Sequence, residues 1–431
     1  MRFQVYSLGC KVNIYESEAV SYDLIQKGFE KCDSNPDVVI INTCTVTSQS
    51  DAKSRKLIRN KKEENPNAII VVMGCYSQLD PTTISDKLGA DIVIGTNNRS
   101  KIYDLIIEYK TTNNKINKVE DSKNYKIFEE LCLNKLSHHT RGFIKIQDGC
   151  ENFCSYCAIP YSRGPIKSRS AESVIQEVSN LVNSGVKEII LSGINTGTYG
   201  KDLGNITLAK LIEKIILLVP NLYRLRLSSI ELMEITDELL DVIEKYPTKI
   251  ANHLHIPLQS GSDGVLKRME RKYSMKEYFD KIAIIKNKFK DMAITTDCLA
   301  GFVGETIEEF EETCQSFKKI EFAEAHIFPY SIRPNTKAYN MPNHLKPEVI
   351  KDRAHKLQTI AKELSIKYKS KFIGQTMPVL FEQLKKGYWF GHTSNYLEIK
   401  IKDEGFDLTN NIIDVELIKL ENEIIIGKEV K

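Results

Sequence analysis

The chain has 431 residues, 42% of them hydrophobic and 27% charged, with a formal net charge of +3. That length calls for two or three domains, and the composition is that of a globular protein with ample material for a core. The small net charge excludes nucleic-acid binding through overall basicity alone, and the longest apolar runs, IIVVMGC and KIILLVP, are far too short to span a membrane. The opening MRFQVYSLGC lacks the basic flank, apolar stretch and small-residue cleavage site of a secretory signal, so a cytoplasmic location is expected. Ten cysteines in a reducing compartment argue against a disulfide framework. Metal binding or catalysis is expected for those that cluster, and simple packing for those that do not.

Along the first hundred residues, short apolar runs (FQVYSLG, DVVIINT, AIIVVMG, DIVIGT) alternate with segments of helical spacing, clearest over Glu16 to Lys27 and Ser48 to Lys62. Such alternation predicts an α/β domain with a mostly parallel sheet, assigned to residues 1–125. From Lys110 to Asn124 the chain becomes rich in Lys and Asn and is expected to be a linker or surface excursion. A second alternating series begins near Gly142, with strands in GFIKIQ, KEIILSG, LYRLRLS, HLHIPLQ, AITTDCLAG and AHIFPYS. Six βα units predict a partial (β/α)6 barrel over residues 137–366, two units short of a closed one, and its missing units would leave a lateral opening. A Lys-rich helix from Pro347 to Lys369 closes it. Short strands over residues 370–431 then predict a small five-stranded β-barrel.

The strongest local signal is Gly149-Cys150-Glu151-Asn152-Phe153-Cys154-Ser155-Tyr156-Cys157, a C-x3-C-x2-C run just after the first barrel strand. Three thiolates on one tight loop suit three irons of a [4Fe–4S] cluster and leave the fourth iron open for chemistry. The alternative is a zinc site completed by His138 or His139, but zinc ligands usually come as paired C-x2-C or Cys/His doublets, and this run offers only the single doublet Cys154/Cys157. Around it, LSGINTGTYG, RLSSIE, HIPLQSGS and CLAGFVGE all fall at carboxyl ends of predicted parallel strands, where barrel enzymes build their sites. In the first domain Cys10 follows FQVYSLG, Cys44 follows VVIINT and Cys75 follows IIVVMG. Parallel-strand ends meet in one crevice, so these three thiols are expected to be neighbours and to hold a second cluster. Cys32, Cys132, Cys298 and Cys314 fit no such pattern and are expected to be packing residues.

The run FIKIQDGCENFCSYCAIPYSRG resembles the core signature of the radical S-adenosylmethionine superfamily, and specifically of its tRNA methylthiotransferases. The resemblance covers nearly the whole chain, including LGC, NTC and GC at the strand ends and a C-terminal barrel like the TRAM module. It implies two [4Fe–4S] clusters, held by Cys150, Cys154 and Cys157 and by Cys10, Cys44 and Cys75. It also implies S-adenosylmethionine on the open iron of the first cluster, cleaved on reduction to a 5′-deoxyadenosyl radical. By the same resemblance Tyr156 lies near the adenine of that cofactor, while Asn195, Arg226, Glu231 and Gln259 line its pocket. LGCKVN, INTCTVT and FIKIQDGC are most similar to the branch acting on N6-threonylcarbamoyladenosine beside the tRNA anticodon, where adenine C2–H becomes C2–S–CH3. Implied partners are the anticodon stem-loop, an electron donor such as flavodoxin or ferredoxin, and a sulfur source. Val303 in GFVGE departs from the proline usual in the family, and a small change in loop stiffness is expected.

Charge gives the RNA expectation mixed support. Residues 370–431 contain eight lysines and ten acids; Tyr388, Trp389, Phe390 and Tyr396 are candidates for base stacking there, with about half expected in the core. Basic runs lie instead in Lys53–Lys62, Lys267–Lys272 and the Lys346–Lys371 helix. Two other functions compete: the same reaction on isopentenyl-modified adenosine, and a non-catalytic, zinc-stabilised RNA-binding protein.

Overall fold

A computed structural model of the chain describes residues 1–131, 133 and 140–430, so Cys132, His138 and His139 lie outside the described residues. The first unit contains β1 (Arg2–Ser7), α1 (Lys11–Gln26), β2 (Glu30–Lys31), β3 (Val38–Thr43), α2 (Ser48–Glu64), β4 (Ile69–Gly74), α3 (Cys75–Leu79), β5 (Ile92–Val93), α4 (Ile102–Thr112) and β6 (Ile116–Asn117). Its six strands are all parallel, in the order β2-β1-β3-β4-β5-β6. Every residue of β3 is buried, as a central strand covered on both faces requires.

Two expectations need correction here. The first helix begins at Lys11 rather than Glu16, directly behind Cys10. Its first turns carry buried polar groups (Asn13, Glu16, Ser17) where an apolar stripe would be looked for. The Lys/Asn-rich stretch is no free linker. Ile116 and Asn117 pair with Ile92 and Val93 as the sixth strand, a two-residue edge too short for periodicity to reveal. Further on, the Ser122 hydroxyl donates to the Tyr161 carbonyl at 2.7 Å, strapping this stretch to the barrel.

The second unit runs through β7 (Arg141–Lys145), β8 (Gln147–Asp148), α5 (Ile159–Arg163), β9 (Lys167–Ser168), α6 (Ala171–Asn183), β10 (Glu188–Ser192), α7 (Leu208–Leu218), β11 (Arg224–Leu227), α8 (Asp237–Lys245), β12 (His253–His255), α9 (Asp263–Arg268), α10 (Met275–Lys288), β13 (Ala293–Ala300), α11 (Ile307–Ile320), β14 (Glu324–Pro329) and α12 (Pro347–Ser370). β7, β10 and β11 form one parallel set and β12, β13 and β14 another, joined by a parallel bridge between Leu225 and Ile250. The six predicted strands thus form an open barrel. Its helices pack by the expected stripe; α6, for example, buries Val174, Val178, Leu181 and Val182. Ser274 with Glu277 and Thr306 with Glu309 form capping boxes that start α10 and α11. The third unit is a closed barrel of β15 (Thr376–Lys385), β16 (Tyr388–His392), β17 (Glu398–Lys402), β18 (Ile412–Glu421) and β19 (Ile424–Glu429), in the order β15-β16-β17-β19-β18.

The first unit spans the lateral opening of the open barrel. α1 packs on β7, and beyond β14 Arg333 donates to the Asp51 carboxylate at 2.7 Å and to the Thr45 hydroxyl. The lateral opening expected from the missing units is therefore roofed by the cysteine-bearing strand ends. The third unit closes the opposite end: Arg226 donates to the Ser394 and Thr393 carbonyls at 3.0 and 3.1 Å, and Arg141 pairs with Glu382 at 2.9 Å.

Between the first two units lies a fully buried charge network. Glu16 accepts from Arg163 at 2.5 Å and from Lys145 at 2.8 Å, and it pairs with Arg99 at 3.1 Å. Asp148 accepts from Lys145 at 2.5 Å, and Arg99 also meets Glu129 at 3.0 Å. Desolvation alone would raise the Glu16 carboxyl, but Arg163, Arg99 and Lys145 overcome it and hold the group down at about 2. Its contribution to stability is therefore complete above the ordinary value of 4.5 and is lost as pH falls toward 2. Glu16→Gln leaves buried cations uncompensated and is expected to destabilise the protein by about 3–5 kcal/mol. Denaturant midpoints measured from pH 7 down to pH 3 should fall more steeply for the native protein than for the variant.

Candidate active site

The C-x3-C-x2-C loop is clamped from several sides. Ser155 donates through its amide to the Met269 carbonyl at 3.0 Å and through its hydroxyl to the Arg268 carbonyl at 2.7 Å, while the Cys150 amide donates to the Gly164 carbonyl at 3.1 Å. Phe153 turns the loop with φ +47°. The result is three half-buried, free thiols on one loop: Cys150, Cys154 and Cys157. Burial pushes Cys150 up to about 11 and Cys157 up to about 12, so ionisation needs a bound cation. The guanidinium of Arg271 donates to the Cys154 sulfur at 3.4 Å and also pairs with Glu231.

The residues assigned to a cofactor pocket fall in different settings. The Tyr156 ring stands edge-on to Phe302, with centroids 6.2 Å apart, directly inside the cysteine loop. Asn195 is 4% exposed, and neither its amide nitrogen nor its oxygen has a hydrogen-bond partner among the described residues. Such an orphaned buried amide is costly unless a ligand completes it. Glu231 belongs to the cysteine loop's surroundings through Arg271. Gln259 adopts φ +63°, and its carbonyl accepts from the Cys298 thiol at 3.1 Å. Arg226 is already engaged by Glu188 at 2.8 Å and by the third unit.

The other three cysteines meet as their strand ends predict. Gly9 has φ +107°, and a Cβ there would lie 2.8 Å from Cys44 Cβ and 2.9 Å from Cys44 Sγ. Gly74 has φ +105° and leaves no room for a Cβ beside Asn42 and Thr43, which brings Cys75 in behind β3. The Asn13 amide donates to the carbonyls of Leu8 at 2.7 Å and Thr43 at 3.1 Å, tying together the ends that carry Cys10 and Cys44. Arg163 donates to the Cys75 sulfur at 3.2 Å and to Asn13 Oδ1 at 2.9 Å. Burial pushes the Cys44 thiol up to about 11 and raises Cys10. Among the described residues no three His, Cys, Asp or Glu side chains converge on a single ion. A cubane cluster asks for something else, one thiolate on each of three separate irons.

Cys10 lines two adjoining cavities. One, of about 570 Å³, runs down the barrel interior past Lys11, Ser192, Arg226, Ser228, His253, His255, Asp297, His326 and Tyr396. The other, of about 800 Å³, opens outward between Cys44, Thr47, Tyr330 and Lys351. Desolvation and the nearby Arg141 and Arg226 charges lower the Lys11 ammonium, while burial, Arg226, His255 and Lys11 keep His253 well below the usual imidazole value.

Cys298 and Cys314 are buried and Cys32 is half-buried, in keeping with packing roles. Sequence reading missed Asn13, Arg163 and Arg271, although each lies in or beside a quoted motif. Arg271 was counted in an exposed basic run, yet its side chain is only 3% exposed, and its neighbour Arg268 pairs with Glu309 at 2.6 Å. Lys53, Lys56 and Arg59 of α2 do face outward.

An open parallel barrel with a three-cysteine loop at the carboxyl end of its first strand defines a radical S-adenosylmethionine enzyme. Residues 144–317 match the Radical SAM superfamily, and residues 2–95 match a family described as Uncharacterized protein family UPF0004. The fold is similar to that of the radical S-adenosylmethionine methyltransferase TsrM from Kitasatospora setae (TM-score 0.58, 14% identity, 78% of this chain and 76% of that one). The chain is 40% identical to the threonylcarbamoyladenosine tRNA methylthiotransferase MtaB of Bacillus subtilis, over 96% of this chain and 93% of that protein. It is 37% identical to the protein of the same name from Thermotoga maritima (92% and 90%). With the tRNA-2-methylthio-N(6)-dimethylallyladenosine synthase of Clostridium botulinum it shares 33% identity (99% and 97%). The chain belongs to the radical S-adenosylmethionine tRNA methylthiotransferase family, whose members use S-adenosylmethionine and [4Fe–4S] clusters.

The crowding at Gly9 can be measured against Gly28, which has φ +85° but nothing within 4 Å of a Cβ. Gly28→Ala should carry only backbone strain, about 1–2 kcal/mol. Gly9→Ala should add about 1–3 kcal/mol for overpacking against Cys44, read as the difference between the two denaturant midpoints.

Proposed function

We propose that the chain converts N6-threonylcarbamoyladenosine beside the tRNA anticodon to its 2-methylthio derivative. The observation that carries this is a three-cysteine loop on the first barrel strand together with a second set of three cysteines on the strand ends of the first unit, of which Cys10 lines the barrel cavity, joined to the 40% identity with a relative of that name. In this reading Cys150, Cys154 and Cys157 hold one [4Fe–4S] cluster and Cys10, Cys44 and Cys75 hold the other. When bound, the first cluster with S-adenosylmethionine supplies the radical that removes the C2 hydrogen, and the second supplies the sulfur. The donor chemistry fits: each set offers three soft sulfurs and leaves one iron position free.

The remaining work falls to side chains. Asn195 offers an amide donor and acceptor without a partner among the described residues, toward the polar groups of S-adenosylmethionine. Tyr156, braced by Phe302, gives the adenine an aromatic edge. Arg271 holds Glu231 and faces the Cys154 sulfur, placing a fixed positive charge beside an anionic cluster. The first unit roofs the barrel and keeps bulk water from a reactive radical. The exposed cations of α2 and the exposed Tyr388 suit phosphate and base contacts with the anticodon stem-loop. An electron donor such as flavodoxin or ferredoxin, and a sulfur source, complete the cycle.

The competing reading is the same reaction on a dimethylallyl-type adenosine, favoured by the similarity to the Clostridium botulinum synthase. The nucleoside profile of bulk tRNA from a deletion strain separates them. Loss of methylthio-threonylcarbamoyladenosine is expected; intact levels would sink the proposal. Anaerobically purified protein should carry on the order of eight irons. Cys44→Ala should lose about half of them, keep reductive cleavage of S-adenosylmethionine and abolish sulfur insertion; one zinc and no iron would instead restore the non-catalytic reading. Asn195→Ala should leave the melting temperature nearly unchanged, since no internal bond is lost, while affinity for S-adenosylmethionine falls roughly tenfold.

A further inference from the structure

The inner cavity has a basic end with one unpaired ammonium. Lys11 and Arg226 line it, with Arg141 and Arg224 close behind them. Arg224 and Arg226 share Glu188 and donate to the carbonyls of His392, Thr393 and Ser394. Arg141 is held by Glu382 at 2.9 Å. Lys11 alone among these makes no hydrogen bond or ion pair with the described residues, and it lines the cavity. A second, independent observation lies across from it. His253, 7% exposed, lines the same cavity with Nδ1 lacking any partner among the described residues, while Nε2 meets the Thr295 hydroxyl at 3.0 Å. The Tyr396 ring stacks on His253, centroids 5.0 Å apart at 27°, and forms an aromatic wall. The cavity's acids lie on the later strands, where His255 approaches Asp297 at 3.4 Å and Glu324 sits on β14.

We infer that Lys11, with His253, forms the subsite for the carboxylate carried by the substrate's N6 side arm, an inference that rests on the threonylcarbamoyl reading above. A threonylcarbamoyl arm ends in a free carboxylate, whereas an isopentenyl or dimethylallyl arm is apolar. A carboxylate seated here completes a desolvated ammonium beside the buried His253 and Tyr396 rings. An apolar arm would bury that ammonium without a partner, and that penalty is the basis of discrimination. The arm leaves adenine at C6, one ring nitrogen away from C2. Lys11 directly follows Cys10, so anchoring the arm there brings the carbon to be modified to the cysteine wall of the cavity. Lys11 is thus a specificity-determining residue; it touches the arm and not the reacting bond.

The test is equilibrium binding of anticodon stem-loops to the anaerobically reconstituted holoprotein without reductant. One stem-loop carries N6-threonylcarbamoyladenosine, and another carries its carboxamide, identical but uncharged. The native protein is expected to prefer the carboxylate by about tenfold to a hundredfold, as a charge-assisted hydrogen bond provides. Lys11→Met should bind both RNAs alike, and Lys11→Arg should restore part of the preference. Lys11→Gln serves as the milder neutral variant, with iron content and melting temperature checking the fold. A full preference retained in the neutral variants would overturn the inference. So would a native protein that methylthiolates threonylcarbamoyladenosine without preferring the carboxylate, or a matching loss of S-adenosylmethionine affinity, which would assign Lys11 to the cofactor. A native protein that leaves threonylcarbamoyladenosine unmodified would instead remove the functional reading beneath it.

Discussion

The contact on which the rest depends is the buried pairing of Glu16 with Arg163. Glu16 belongs to the first helix of the first unit, and Arg163 ends the short helix that follows the Cys150 loop. Their carboxylate and guanidinium are both fully buried, with Arg99, Lys145 and Asp148 arranged around them. A charge cluster this deep survives only when every member finds an opposite partner, so the two units cannot slip against one another by even a fraction of a helical turn. The same guanidinium reaches the Cys75 sulfur and the Asn13 amide oxygen. One side chain thereby fixes the distance and orientation between two sets of thiols that lie far apart in sequence.

Around this hinge-free joint the cavity is assembled from all three units. The open barrel provides the inner strand faces, the first unit the roof with Cys10 and Lys11, and the small C-terminal barrel the floor with Tyr396. Each unit alone would expose a half-lined groove. Enclosure therefore arises between units, where low dielectric strengthens every polar contact made to a bound group.

Much of this was readable from residue order. All six strands of the open barrel and the five strands of the terminal barrel follow from alternation of period, and thiols placed after parallel strands point to the approach of Cys10, Cys44 and Cys75. What escaped reading was polar burial. The first turns of α1 hide their helical face because Asn13, Glu16 and Ser17 point inward, and a hydrophobic pattern has no symbol for a buried carboxylate. Arg271 was lost inside a basic run for the same reason: charge in sequence carries no sign of whether it faces water. The two-residue edge strand at Ile116 is visible only through its partner, Ile92. At Val303, where the resemblance leads to an expected proline, the loop is held by the Glu305 carboxylate accepting from the Gly301 amide at 3.0 Å and from Arg353 at 2.7 Å. Its firmness is written in distant residues.

The C-terminal barrel looks in sequence like a separable appendage, ending in a slightly acidic surface. The end of β16 and the turn after it are nonetheless part of the interior: carbonyls of His392, Thr393 and Ser394 hold Arg224 and Arg226, and Tyr396, turned inward at φ +64°, forms cavity wall between His253 and His392. Modularity in this chain is therefore an accident of its linear drawing. Exchanging the terminal barrel for that of a relative, as a domain shuffle would, also exchanges the floor of the inner cavity. Over evolutionary time the outer face of that barrel and the lining of the interior must drift together, coupled through a single short turn.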